Sequence, residues 1–132
     1  MSAGAFTAFV PGKLENHDNR KSHRMVTHRY RVEWHQRVTA AVVTATHAAG
    51  WATSSDYARA PKDVWLIAQV FNLFDSHDGL RSACKPVVDG LVKCRVLAGD
   101  DDATLARYVQ TIRYAQTINR QQRGVRVEVI LQ

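Results

Sequence analysis

Cysteine, proline and methionine are all scarce in this chain: 132 residues contain two, three and two of them. Cys84 and Cys94 are too few for a disulfide-stapled scaffold, and they lack metal-ligand spacing. Cys84 falls on an apolar helical stripe, which predicts a buried free thiol. No apolar run approaches the roughly 20 residues that a membrane-spanning helix needs, and no cleavable signal-peptide pattern is present. Together these predict a cytoplasmic protein with no membrane partner. Internal repeats and low-complexity tracts are missing too, which excludes solenoids and disordered tails. Acidic residues are the minority, 12 against 18 lysines and arginines, for a net charge of +6. That balance disfavours an acidic partner and favours nucleic acid or another polyanion, with solubility alone as the competing explanation. At this length the chain forms one domain, residues 1–132, burying about two-thirds of its unfolded surface.

The few acids are not spread evenly. Six of the 12 fall between Asp75 and Asp102, in DSHDGLRSACKPVVDGLVKCRVLAGDDD. Within this stretch Leu80, Ala83, Cys84, Val87, Val88 and Leu91 recur at helical spacing and mark one apolar stripe. Asp78, Lys85 and Asp89 lie seven and then four residues apart, which aligns them on another side of the same helix. An aspartate at the entrance can cap the first turn, and Pro86 predicts a departure from regular helix. Asp100, Asp101 and Asp102 follow in a glycine-led turn. Two carboxylate clusters joined by a helix bearing a lysine suit a divalent cation with hard oxygen ligands, such as Mg²⁺. The lysine offsets the repulsion and can stabilise charge developing on a phosphate.

These residues resemble the signature of RusA-type Holliday junction resolvases of phages and prophages. Asp78-Gly79-Leu80 is similar to the family's D-N-L. Lys85-Pro86-Val87-Val88-Asp89-Gly90-Leu91 resembles its K-P-hydrophobic-hydrophobic-D-G-L run. Val96-Leu97 followed by Asp101-Asp102 resembles its V-L-x-D-D close. The resemblance implies a RusA-like fold and a homodimeric, magnesium-dependent endonuclease that resolves four-way junctions by paired phosphodiester cleavage, in DNA recombination and repair. On that reading Asp75, Asp78 and one or both of Asp101 and Asp102 hold Mg²⁺, with Mn²⁺ as a substitute. Lys85 stabilises developing charge, and Asp89 orients the lysine or the metal's surroundings. Asn16 or Asn19 matches the asparagine of the family's first loop, while Arg20, Lys21 and Arg24 track phosphates. Gly79 stands where the family has asparagine, and Ser76 where it has its first aspartate, so Asp75 serves from one position away. Those departures motivate an alternative, a catalytically weakened DNA-structure-binding protein of the same fold. A third reading is a structural dimer whose acidic turn holds no metal.

Along the rest of the chain, residues 1–10 end in a strand closed by Pro11-Gly12, and 12–29 read as a long polar loop. His17, His23, His28 and His35 are spaced by six, five and seven, without the short pair of a zinc site. Residues 30–49 turn helical, with Val32, Val38, Val42, Ala45 and Ala49 near one face. Residues 50–62 read as a turn-rich connector. Asp63–Phe74 is a nearly continuous apolar run that predicts a central strand delivering the chain directly to Asp75. Residues 107–116 and 125–131 both alternate, and the short link between them predicts an antiparallel pair. Trp34, Trp51 and Trp65 are expected in the core or at its rim. His77, between the acids, reads as a solvated loop residue. The expected order is strand, helix, strand, helix, strand, strand: an α+β domain with a mixed β-sheet and helices packed on it.

Overall fold

A computed structural model describes residues 4–15, 24–51 and 55–132. The elements are β1 (Ala5–Pro11), α1 (Arg24–Ala48), α2 (Ser55–Arg59), β2 (Lys62–Val70), α3 (His77–Lys93), α4 (Asp102–Arg107), β3 (Gln110–Ile118) and β4 (Gly124–Leu131). The four strands form one mixed sheet in the order β1-β4-β2-β3. This is an α+β domain with helices packed on a sheet. Among the described residues, no helix is long and apolar enough to cross a membrane.

Strand alternation sets which face the helices cover. Phe6, Ala8 and Val10 of β1, Val64, Leu66, Ala68 and Val70 of β2, and Val125, Val127 and Val129 of β4 are all buried. Their neighbours in sequence point the other way, because successive side chains alternate across a strand. The α3 stripe forms as the pattern predicts: Leu80, Ala83, Cys84, Val87, Val88 and Leu91 are buried against that face. Burial of each large aliphatic side chain stabilises the packing by about 1.5–3 kcal/mol. The thiol of Cys84 is free and buried, and burial pushes its pKa up to about 12.

Helix α1 lies beside α3, and the two approach closely at Gly90. A Cβ there would stand 2.9 Å from the side chain of Val38, so only glycine permits this spacing. From α1 the core takes Trp34, Val38 and Val42, whereas Val32 is 38% exposed. Position 34 lies two residues, about 200° of helical rotation, from position 32, so Trp34 faces the core where Val32 faces away from it. Trp51 is buried edge-on against Phe6, and Trp65 lies half-buried on the opposite sheet face beneath Arg113.

Several boundaries and one pairing differ from the sequence expectation. Helix α1 begins at Arg24, so His28 and Arg29 are helical rather than part of a loop. Strand β2 ends at Val70, four residues before Phe74, and Phe71 and Leu73 are each 49% exposed. Apolar character there marks an exposed turn, so the strand does not deliver the chain directly to Asp75. The connector holds the short helix α2, with residues 52–54 outside the described set. Arg107 closes α4, an element that the acidic turn conceals in the sequence.

The pairing correction concerns β3 and β4, which are not neighbours. Strand β3 runs parallel to β2 at one edge, and β4 lies antiparallel between β1 and β2. The link from β3 to β4 wraps the end of β2, where the Asn119 amide donates to the Val70 carbonyl at 2.9 Å. The Arg120 Nε adds a bond to the Phe71 carbonyl at 3.2 Å. A five-residue link permits a hairpin but does not require one. Strand β2, apolar along its covered face, takes partners on both edges instead.

Candidate active site

Helix α3 starts at Ser76, whose hydroxyl accepts from the Gly79 amide at 3.0 Å and serves as the N-cap. The entrance aspartate is therefore not the cap. Asp78 sits in the first turn with its carboxylate exposed, where a negative charge is favoured by the helix dipole. One and two turns further on lie Ser82 and Lys85. Pro86 is buried within the helix, which continues through it. Its ring supplies no N–H, so the Ser82 carbonyl lacks its usual helical donor. One residue on, the Tyr30 hydroxyl approaches the Ala83 carbonyl at 3.4 Å.

Asp78, Ser82 and Lys85 line a groove of about 550 Å³, whose far wall carries Asp100, Asp101 and Tyr114. The groove thus joins α3, the turn before α4 and strand β3. Tyr114 is half-buried, with the Arg81 guanidinium 5.7 Å over its ring and His77 edge-on at 6.0 Å. His77 is the first residue of α3 rather than a loop residue, and it is exposed, as expected, at the edge of the tyrosine ring. Burial raises the Tyr114 pKa.

Asp89, one turn beyond Lys85, faces Asp100 closely enough for the two carboxyls to share a hydrogen bond. Burial raises the pKa of Asp89, and the Asp100 contact raises it further, while Lys85 and His35 act in the opposite direction. Such a pair holds a proton or a cation between its oxygens in preference to two bare charges. His35 of α1 lies near enough to Asp89 to feel its charge, with its Nδ1 3.0 Å from the Lys93 Nζ and its Nε2 buried without a hydrogen-bond partner among the described residues. Burial and the neighbouring Lys93 lower the His35 pKa. Lys85 itself makes no ion pair within 4 Å among the described residues, so its ammonium remains available to the groove.

The closing acids divide by role. The Asp101 carboxylate accepts from the Thr104 amide at 3.0 Å and caps α4, and hydrogen bonding from the Thr104 hydroxyl, then from that amide, lowers its pKa. Asp102 is exposed in the first turn of α4 and does not line the groove. Asp100, which the sequence reading set behind Asp101 and Asp102, faces both the groove and Asp89. Asp75 is exposed ahead of α3 and also lies off the groove. The carboxylates that line the groove are therefore Asp78, Asp100 and Asp101, with Asp89 set against Asp100. No compact group of three or more metal-ligating side chains is preformed among the described residues.

Arg81, Ser82 and Tyr114 were missed by sequence reasoning. Arg81 could have been found from its i, i+4 relation to Lys85, whereas Tyr114 depends on β3 lying parallel to β2. Asn16, Asn19, Arg20 and Lys21 lie outside the described residues, and Arg24 is the first residue of α1. His17 and His23 also lie outside them. No protein-family model matches the chain, and no curated protein matches it.

Proposed function

We propose that this chain is a metal-dependent endonuclease acting on branched DNA, with Mg²⁺ or Mn²⁺ as its cation. The observation that carries the reading is the single groove in which Asp78, Lys85, Asp100 and Asp101 meet from separate chain segments. The facing carboxyls of Asp89 and Asp100 fit a hard divalent cation, because burial and then the Asp100 contact disfavour a bare charge on Asp89. When bound, the cation would activate water and polarise the scissile phosphate. The chain's own residues supply the rest. Asp78 and Asp100 offer oxygen ligands, and Asp89 holds Asp100 and faces Lys85. The Lys85 ammonium stabilises charge developing on the phosphate. Arg20, Lys21 and Arg24, with Asn16 and Asn19, remain the proposed duplex contacts on the basic chain.

The resemblance to RusA-type resolvases makes the four-way junction the proposed substrate and a homodimer the acting unit. The sheet face away from the helices offers a surface for the second copy, with Trp65 and Ile67 half-buried and Ile130 exposed. Asp75 and Asp102, exposed outside the groove of one copy, are proposed as outer ligands or contacts that complete the site on DNA binding. The test is cleavage of a four-way junction with and without Mg²⁺. Paired nicks that require the cation support the reading.

One observation favours a second reading, a DNA-structure-binding protein with weakened cleavage. The Asp101 carboxylate is committed to capping α4, and Gly79 supplies no side chain at the asparagine position of the motif. Selective junction binding without nicks in either metal would establish that reading.

A further inference from the structure

A second groove lies on the other side of α4. It has a volume of about 410 Å³ and is lined by Arg59, Arg95 and Arg107, with Thr104 and Tyr108 between them. The three arginines come from the end of α2, the turn after α3 and the end of α4. All three are exposed, and none makes an ion pair within 4 Å among the described residues. Three guanidiniums without ion-pair partners around one open groove give it a positive potential that attracts anions. Arg107 is steadied over the Tyr108 ring at 5.3 Å. Arg95 occupies the left-handed region with φ 61°, just past the C-cap of α3, where glycine or asparagine is the usual residue. Val109 at the far end of the same segment also has a positive φ, of 55°. Both residues follow a helix C-cap, Cys94 of α3 and Tyr108 of α4, where the chain commonly turns left-handed, so an arginine at 95 costs modestly against glycine there.

We propose that this arginine groove is a phosphate-binding subsite for a nucleic-acid strand whose path continues from the acidic groove across α4. The inference rests on the reading that the chain binds DNA, and it adds where the strand goes. Thr104 shows how thin the divider is: its amide bonds the Asp101 carboxylate of the acidic groove, and the residue itself lines the arginine groove. Guanidinium forks match phosphate oxygens in geometry and remain charged at every relevant pH. Three of them, drawn from three elements along one open groove, suit a run of phosphates better than one small anion.

The experiment is a salt titration of four-way-junction binding to the full chain in EDTA, followed by fluorescence anisotropy. The groove variant carries Arg59→Gln, Arg95→Gln and Arg107→Gln. A charge-matched variant carries Arg37→Gln, Arg120→Gln and Arg126→Gln on other faces. Each lost phosphate contact should reduce the slope of log affinity against log salt by roughly 0.9 on duplex arms. The groove variant should therefore flatten by roughly two to three, and the charge-matched variant by less than about one. Arg95→Gly provides a control for folding: it should melt at the same temperature or higher, since glycine accepts the positive φ, and still bind more weakly. An unchanged slope in the groove variant, or equal flattening in both variants, would overturn the subsite, as would no binding by the wild type. Binding with the predicted flattening but no nicks in Mg²⁺ would overturn the nuclease reading and leave the subsite standing.

Discussion

The carboxyls of Asp89 and Asp100 face each other across the gap between α3 and the turn that leads to α4. Burial and this contact raise the pKa of Asp89, so the folded state binds a proton there more readily than the unfolded chain does. For an acid the sign is then fixed: stability falls as pH rises from the unfolded pKa through the folded one. Above that window the pair carries a standing repulsion. Mg²⁺ should relieve it, so the cation is expected to raise the melting temperature at pH 7 and to have little effect near pH 4. Asp100→Asn should raise the metal-free melting temperature at pH 7 and abolish the Mg²⁺ response. Thermal melts at the two pH values check both expectations, and a Mg²⁺ response that survives in Asp100→Asn would place the cation elsewhere.

The helix of this site was legible because its apolar stripe and polar stripe are both local patterns. Asp78, Lys85 and Asp89 therefore fell on one helix as spacing predicts. The partners across the groove were not legible, because they depend on pairing between strands. Tyr114 reaches the groove only because β3 lies parallel to β2, whereas alternation and the short link suggested an antiparallel pair with β4. The roles of Asp100, Asp101 and Asp102 depend on a single helical start, since whichever acid caps α4 has its carboxylate tied to Thr104. Local sequence shows three adjacent aspartates and cannot rank them. The end of β2 was misjudged because Phe71, Leu73 and Phe74 continue its apolar character into a turn.

Lys62 is fully buried, and its ammonium donates to the carbonyls of Tyr57, Ala58 and Val96, the last two at 3.3 and 2.5 Å. It thereby ties α2 to the turn that carries the acidic triplet. Burial pushes its pKa down to about 8 from 10.5. The unfolded chain binds the extra proton between those values, so this group makes stability rise with pH across pH 8 to 10.5. Lys62→Met should remove that rise. It should also destabilise the fold by about 1–3 kcal/mol through carbonyls left without a donor. Urea unfolding at pH 7 and pH 10 measures both effects.

Gly90 lies where α3 meets Val38 of α1. In an exposed helix, alanine is favoured over glycine by about 1 kcal/mol. Here the added methyl would overlap the Val38 side chain, so Gly90→Ala should instead destabilise the protein by about 1–3 kcal/mol. The companion change Val38→Ala should relieve the clash, and a double-mutant cycle should show the coupling. Stabilisation by Gly90→Ala alone would show that the helices separate without cost.

Lys85 tests whether the groove acts on rate or on binding. A lysine aimed at developing charge acts in the transition state, and loss of one such stabiliser costs about 10²–10³ in turnover. Lys85→Ala should therefore slow single-turnover cleavage at least about a hundredfold by that scale, with junction affinity little changed. Affinity that collapses while the rate at saturation holds would make Lys85 a binding residue.

The most direct measurement is cleavage of a labelled four-way junction by the wild type and Asp78→Asn, with EDTA, Mg²⁺ or Mn²⁺ present. The wild type should give symmetric paired nicks only with a divalent cation. Asp78→Asn should bind the junction as well or better and give none. Full cleavage by Asp78→Asn, or nicks in EDTA, would contradict a metal site built on this groove. Tight, structure-selective binding with no nicks in either metal would contradict nuclease function itself.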